Sequence, residues 1–166
     1  MKNSITVILV ISSLLMGGCT GKINEPEKID NSERNKSLII KANEELINKG
    51  NLSFADEVFT SDYSGGAGEG PESIKKYAGN MRTAFPDIQV SIDPIIAEDN
   101  MTVYLRTHTG THQGEFMGFQ PSGKKITWQT IVFSEYNEDG KVVKEWGVSD
   151  LFEVLQNQKN EEMAEE

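Results

Sequence analysis

The residues best suited to chemistry lie in two short segments of the chain. Alternation along the strand predicted from Val103 puts Arg106, His108 and His112 on one face. The second segment, WGVSD, ends in the carboxylate of Asp150, on the same predicted face as Trp146. An ionised carboxylate close to its proton, or one whose pKa partial burial has raised, can act as a base near neutral pH. The two segments therefore predict the polar lining of a cavity.

Each candidate residue also has a purely structural explanation. Asp150 directly precedes Leu151, so it could cap the last helix together with Glu153, and Ser149 could cap it equally well. His112 could donate a hydrogen bond to a developing oxyanion or be a satisfied histidine at the pocket edge. Further candidates could contact a ligand or belong to a solvated sheet face or the core: Arg106, His108, Trp128, Trp146, Phe116, Phe119 and Tyr104.

Several other classes of site are excluded by spacing and composition. His108 and His112 are four residues apart, which on a strand is roughly 13 Å and too far to share a metal ion. We find no Rossmann fingerprint, P-loop or nucleophile elbow, so we predict neither a metal nor a cofactor. The net charge of −10 argues against a nucleic-acid partner.

The N-terminal residues resemble a bacterial lipoprotein signal. The apolar run from Ile5 to Met16 follows Lys2 and is followed by two glycines and Cys19, the single cysteine. The resemblance implies a signal peptide over residues 1–18, a lipid on Cys19, and anchoring at the extracytoplasmic face of the cell membrane. The alternative is an ordinary signal or anchor helix with an incidental cysteine. Residues 19–36 are polar and predict a tether.

The rest of the chain predicts helices followed by strands. Apolar spacing indicates helices over residues 37–50, 53–59 and 71–85, with the glycine-rich segment 62–70 before the third helix read as a lip over a pocket or a plain loop. Four strands follow near residues 88–97, 103–118, 126–136 and 141–149, with Pro94 indicating an edge position or a bulge. This order predicts one α+β domain over residues 37–158, with helices packed in a curved antiparallel sheet, then a short helix from Leu151 to Gln156 and a disordered acidic tail over 159–166.

Four segments resemble the SnoaL-like polyketide cyclase family, also called ester cyclases, which has a cone-shaped α+β barrel. They are GPESIKKY, TAFPDIQV, GTHQGEFMGFQPSGKKI and DGKVVKEWGVSDLFEVLQ. The resemblance implies metal-free ring closure of a small apolar or polyketide-like ligand by aldol condensation, with Asp150 as base and His112 at the oxyanion. It also implies a homodimer. The Asn-His pair that many relatives carry before the third helix is absent here, where the loop reads Tyr63-Ser64-Gly65-Gly66.

Two hypotheses of function follow from these observations. The first is a lipid-anchored, metal-independent cyclase or isomerase. The second is a lipoprotein that binds a small apolar ligand at the cell surface without turning it over.

Overall fold

The computed structural model of the protein describes residues 31–165, so Cys19 and the predicted signal peptide lie outside the described part. Helix α1 (Ser32–Asn43) continues into a π-helical turn (Glu44–Asn48), a 3₁₀ turn (Leu52–Phe54) and the short α2 (Ala55–Val58). Strands β1 (Phe59–Gly65) and β2 (Gly68–Glu69) then lead into α3 (Gly70–Ala84). The C-terminal half contains β3 (Gln89–Glu98), β4 (Met101–Thr111), β5 (Lys125–Tyr136), β6 (Val142–Ser149) and α4 (Leu151–Glu165).

The strands form one curved, unclosed sheet in the order β2-β1-β6-β5-β4-β3. Every neighbouring pair is antiparallel except β1 and β6, which run parallel. The mixed α+β class and the curved sheet confirm the predicted fold class. As Pro94 indicated, β3 is an edge strand and its register with β4 shifts between Ile92 and Ile95.

One face of the sheet, here called the inner face, is buried against the helices. Side chains spaced three or four apart fill the interior, such as Ile39 and Ala42 from α1 and Ile74 and Ala78 from α3. The cross-strand register defines the inner face in three strands: Tyr104, Arg106 and His108 in β4; Trp128, Thr130, Val132 and Ser134 in β5; Glu145, Gly147 and Ser149 in β6. The side chains between them point to the outer face.

The structure differs from the sequence-based prediction at four places. Strand β4 ends at Thr111, whereas the predicted strand ran to residue 118. The glycine-rich segment is not a loop, because it forms the β1–β2 hairpin and adds two strands to the predicted four. Helix α1 begins at Ser32, so the last residues of the predicted tether are helical. Helix α4 runs to Glu165, so residues 159–165 are helical rather than a disordered tail. Within residues 31–165, no helix is both long enough and apolar enough to cross a membrane.

Candidate active site

A cavity of about 290 Å³ lies between the inner face of the sheet and helices α1 and α3. Aliphatic side chains form much of its wall, including Ile39, Leu46, Ile47, Ile74 and Val132. Its polar lining is concentrated on the sheet side: Tyr63, Tyr104, Arg106, Thr130, Glu145 and Ser149. A largely apolar cavity with a few convergent polar groups is typical of a small-molecule site.

Glu145 is the centre of a hydrogen-bond network at this cavity. Its Oε1 accepts hydrogen bonds from Ser134 Oγ at 2.7 Å and from Tyr104 Oη at 3.1 Å. Its Oε2 accepts one from Tyr63 Oη at 3.3 Å. Three hydroxyl donors from three strands therefore fix the orientation of one half-buried carboxylate, the only one that lines this cavity among the described residues.

The two tyrosines keep their protons and so can act as donors. Burial, reinforced by the negative charge of Glu145, raises the pKa of Tyr104 to about 12. The same two causes raise the pKa of Tyr63 well above its usual value. Near neutral pH both phenols are therefore protonated, and the carboxylate remains the natural proton acceptor of the network.

Two glycines make room for this arrangement. A Cβ at Gly65 would collide with the Tyr63 hydroxyl, so the absence of a side chain lets that hydroxyl reach Glu145. A Cβ at Gly147 would collide with the backbone carbonyl of Ile131. Gly147 also lines the cavity, where no side chain separates Glu145 from Ser149 on the inner face of β6.

Arg106 contributes a positive charge to the same cavity. Its Nη2 donates a hydrogen bond to Tyr104 Oη at 3.1 Å, so a continuous chain links the guanidinium, the phenol and Glu145. Burial works against the charge, but Tyr104 and the negative Glu145 outweigh it and raise the pKa of Arg106. Arg106 was predicted as a ligand contact, and the structure places it in the cavity lining.

Asp150, the predicted base, lies outside the cavity lining. Along β6 the alternation turns Glu145, Gly147 and Ser149 inward, while Asp150 directly after the strand is exposed. Its Oδ1 accepts a hydrogen bond from the backbone N–H of Gln129 at 2.7 Å. The side-chain contact to the start of α4 is made instead by Ser149, whose Oγ accepts from the N–H of Leu151 at 3.3 Å.

An aromatic cluster outside the lining of this cavity contains His108, His112, Trp128 and Phe116. The cluster is centred on Phe85, whose ring is 5.1 Å from His112, 5.7 Å from Phe116 and 4.9 Å from Trp128. His108 stacks on Trp128 with ring centroids 4.8 Å apart. None of the four lines the cavity that contains Glu145. His112 instead lines a second cavity of about 250 Å³ against α4.

Trp146 contacts both the cavity and a residue of the outer face of the sheet. It belongs to the cavity lining, but its indole stacks on Phe133 of the outer face with centroids 5.4 Å apart. The residue is 41% exposed and so does not cover Asp150 in a closed site. Of the seven predicted catalytic and ligand-binding residues, the structure therefore brings Arg106 and Trp146 to the main cavity.

The sequence reasoning missed Glu145 and Tyr63. The usable signal in the sequence was Ser134, because a polar residue within a largely apolar strand indicates a polar site on the buried face. The structure places Ser134 opposite Glu145, which alternates with Gly147 and Ser149 on the inner face of β6. Tyr104 was considered as an apolar lining residue, and its hydroxyl role follows from the network described above. In residues 31–165 no group of three His, Cys, Asp or Glu side chains is placed to hold a metal ion.

Known structures share this fold over most of the chain. AclR, a proposed hydroxylase from Streptomyces galilaeus, is 28% identical, with a TM-score of 0.66 over 77% of this chain and 97% of its own. A proposed polyketide cyclase from Acidithiobacillus ferrooxidans is 21% identical, with a TM-score of 0.67 over 76% of this chain and 95% of its own. A proposed SnoaL-like polyketide cyclase from Jannaschia sp. CCS1 is 19% identical, with a TM-score of 0.69 over 79% of this chain and 95% of its own.

No curated protein sequence matches the chain. The family model of the SnoaL-like polyketide cyclases matches residues 37–158, the same range that was predicted as the domain. That range contains the whole cavity and each member of the Glu145 network. The chain belongs to the SnoaL-like polyketide cyclase family.

Proposed function

We propose that the protein catalyses metal-independent proton transfer at a carbon next to a carbonyl group, leading to aldol-type ring closure or isomerisation. The observation that supports this most directly is the carboxylate of Glu145, held by three hydroxyl donors in the wall of a largely apolar cavity. A fixed base beside an apolar cavity can approach a carbon acid without competition from bulk water.

In the proposed reaction Glu145 takes the proton from the carbon, and the electron pair of the C–H bond forms an enolate. The Arg106 guanidinium in the same cavity stabilises the negative enolate oxygen. For ring closure the enolate carbon bonds to a second carbonyl carbon of the same molecule, and the resulting alkoxide takes a proton back from Glu145. Isomerisation returns that proton to a different carbon.

The relatives support this class of chemistry without fixing the reaction. The family is named for polyketide cyclases, and the similar structures include proposed cyclases and a proposed hydroxylase. Because one fold supports several activities, the proposal rests on the cavity and its carboxylate. The roles of Asp150 as base and His112 as oxyanion donor stay predictions from the family resemblance.

Solvent hydrogen exchange tests the proposal. A small 1,3-dicarbonyl compound in D₂O is expected to exchange its acidic C–H faster with the protein than with buffer alone, as followed by NMR. Excess chelator should leave the rate unchanged, because the proposed base is a carboxylate. An equal rate with and without protein would contradict the catalytic proposal.

The second candidate is a non-catalytic ligand-binding protein. The apolar share of the cavity lining favours it, because burial of an apolar ligand needs no reacting group. Saturable binding of the dicarbonyl compound, with no acceleration of exchange, would support this alternative.

We propose that the mature protein is anchored to the extracytoplasmic face of the membrane by a lipid on Cys19, following the pattern of the N-terminal sequence. The substitution Cys19→Ser removes the thiol that would carry the lipid. Cell fractionation is expected to find the wild type with membranes and the variant released from them. A variant that stays in the membrane fraction would contradict lipid anchoring and favour an uncleaved anchor helix.

A homodimer is the remaining proposal about partners. Its support is the exposed apolar outer face of the sheet, where Ile96, Ile131, Trp146 and Val148 are 65%, 47%, 41% and 76% exposed. Light scattering of the soluble domain measures its mass directly.

A further inference from the structure

The size of the cavity limits what it can enclose. Its volume of about 290 Å³ corresponds to roughly ten water molecules at ~30 Å³ each, and so to a ligand of roughly ten non-hydrogen atoms. A fused multi-ring polyketide is much larger than this. The cavity instead fits a single ring or a short chain.

Arg106 marks one end of the polar lining. In the register of the sheet it lies opposite Thr130, which in turn lies opposite Ser149, and all three line the cavity. The backbone of Glu145 lies in the row of Ser134, four residues further along β5, but its side chain converges on Arg106, because Tyr104 Oη is 3.1 Å from both Glu145 Oε1 and Arg106 Nη2. Tyr104 stands between the two charged groups and bonds to both.

The guanidinium has capacity for a further partner. Its Nη2 bonds to a neutral phenol, while Nε is buried and has no hydrogen-bond partner among the described residues. Arg106 also takes part in none of the ion pairs found within residues 31–165. Glu145 offsets part of the positive charge through Tyr104, but a buried Nε–H without a partner is costly, and a carboxylate binds guanidinium by two parallel hydrogen bonds.

We propose that the cavity binds a short-chain or single-ring carboxylic acid of about ten non-hydrogen atoms, with its carboxylate at Arg106 and its apolar part against the helices. Glu145 does not occupy this position, because the Tyr104 hydroxyl lies between it and Arg106 and its oxygens already accept hydrogen bonds from Ser134, Tyr104 and Tyr63. The inference rests on the proposed function for one point, that this cavity is the substrate site. It adds that the substrate is a small keto acid, whose carboxylate and enolate oxygen share the five N–H donors of the Arg106 guanidinium.

Calorimetric titration with saturated acids tests binding without requiring turnover. Octanoate is expected to bind at least tenfold more tightly than octanamide, which has the same size and no charge. Affinity should fall from octanoate to dodecanoate as the chain outgrows the cavity. Equal affinity for acid and amide, or affinity that keeps rising to dodecanoate, would overturn the inference.

Two variants test the charge of Arg106 and the size of the cavity separately. Arg106→Gln should abolish the preference for octanoate over octanamide and change the affinity for octanamide by no more than about twofold. The exposed control Lys125→Gln should leave the affinities for both ligands unchanged. Ala78→Leu narrows the cavity and should move the preferred acid from octanoate to hexanoate, which tests the site even if the arginine variant folds poorly. A length preference that Ala78→Leu does not change would contradict binding in this cavity.

The outcomes also distinguish this inference from the proposed function. Tight octanoate binding without exchange of any dicarbonyl compound would contradict catalysis and leave the carboxylate site standing. Exchange of a neutral dicarbonyl compound, with no preference for acids over amides, would contradict the carboxylate site and leave catalysis standing.

Discussion

Replacing Glu145 by glutamine is expected to lower the rate of C–H exchange by about 10²- to 10⁴-fold, the usual contribution of a positioned base. The amide cannot take up a proton at neutral pH, although it nearly preserves the volume and can still accept hydrogen bonds from Tyr104 and Ser134. The expected loss should therefore appear in the rate constant, with ligand affinity little changed. The measurement is the NMR exchange assay with each variant at matched concentration.

Asp150→Asn is the decisive comparison, because the sequence and the structure point to different carboxylates. The amide oxygen of the introduced asparagine could still accept the hydrogen bond from the N–H of Gln129, so the fold should be retained and exchange should stay within about twofold of wild type. Glu135→Gln, on the same hairpin but facing outward opposite Lys144, is the control for loss of charge. Loss of exchange in Asp150→Asn with normal activity in Glu145→Gln would instead support the sequence-based assignment.

The fold could be predicted because the spacing of apolar residues along the chain indicates which side chains are buried. The stripe that includes Ile39, Ala42 and Leu46, and the one in α3 that includes Ile74 and Ala78, are the residues that the structure buries. Strand β1 was missed because its seven residues, FTSDYSG, combine turn-forming types with few apolar side chains. It is a strand because of tertiary pairing with β6, which local sequence does not encode.

The site was harder to predict because a one-residue change of register reverses the face of every side chain in a strand. By alternation, Trp146 and Asp150 belong to one face of the strand. Glu145 and Ser149, each one residue earlier, belong to the opposite face. Which set faces the helices depends on pairing with β5, where Ser134 lies opposite Glu145 and Phe133 opposite Trp146. Sequence alternation was used to choose Trp146 and Asp150, and only the tertiary structure shows that the Glu145 set faces the cavity.

His108 gives the second large expected effect, through the dependence of stability on pH. The imidazole is 2% exposed and stacked on Trp128, and Arg106 is its neighbour on the same face of β4. Burial, together with the positive charge of Arg106, lowers the pKa of His108 from 6.5 to about 3. The folded protein therefore keeps this histidine neutral at pH values where the unfolded chain binds a proton.

The sign of the effect follows from proton linkage. Between pH 6.5 and pH 3 the unfolded state binds more protons at this residue, so the free energy of unfolding falls as the pH falls. From pH 7 to pH 5 the expected loss from His108 is about 2 kcal/mol, at about 1.4 kcal/mol per unit of pKa difference. Asp87, whose pKa is lowered from 3.8 by its bonds to Thr111, adds to the loss at lower pH, so the range above pH 5 separates the histidine contribution from that of Asp87.

Urea unfolding at pH 7, 6 and 5 measures this slope in wild type and in His108→Gln. The variant has no titrating side chain at this position, so its stability should change much less over the same range, whatever its absolute value. In the wild type, the ring proton resonances of His108 should stay constant from pH 8 to pH 5, because the folded state does not protonate it. A titration midpoint near 6.5 for that ring, or parallel slopes in the two proteins, would contradict a neutral buried histidine beside the Arg106 charge.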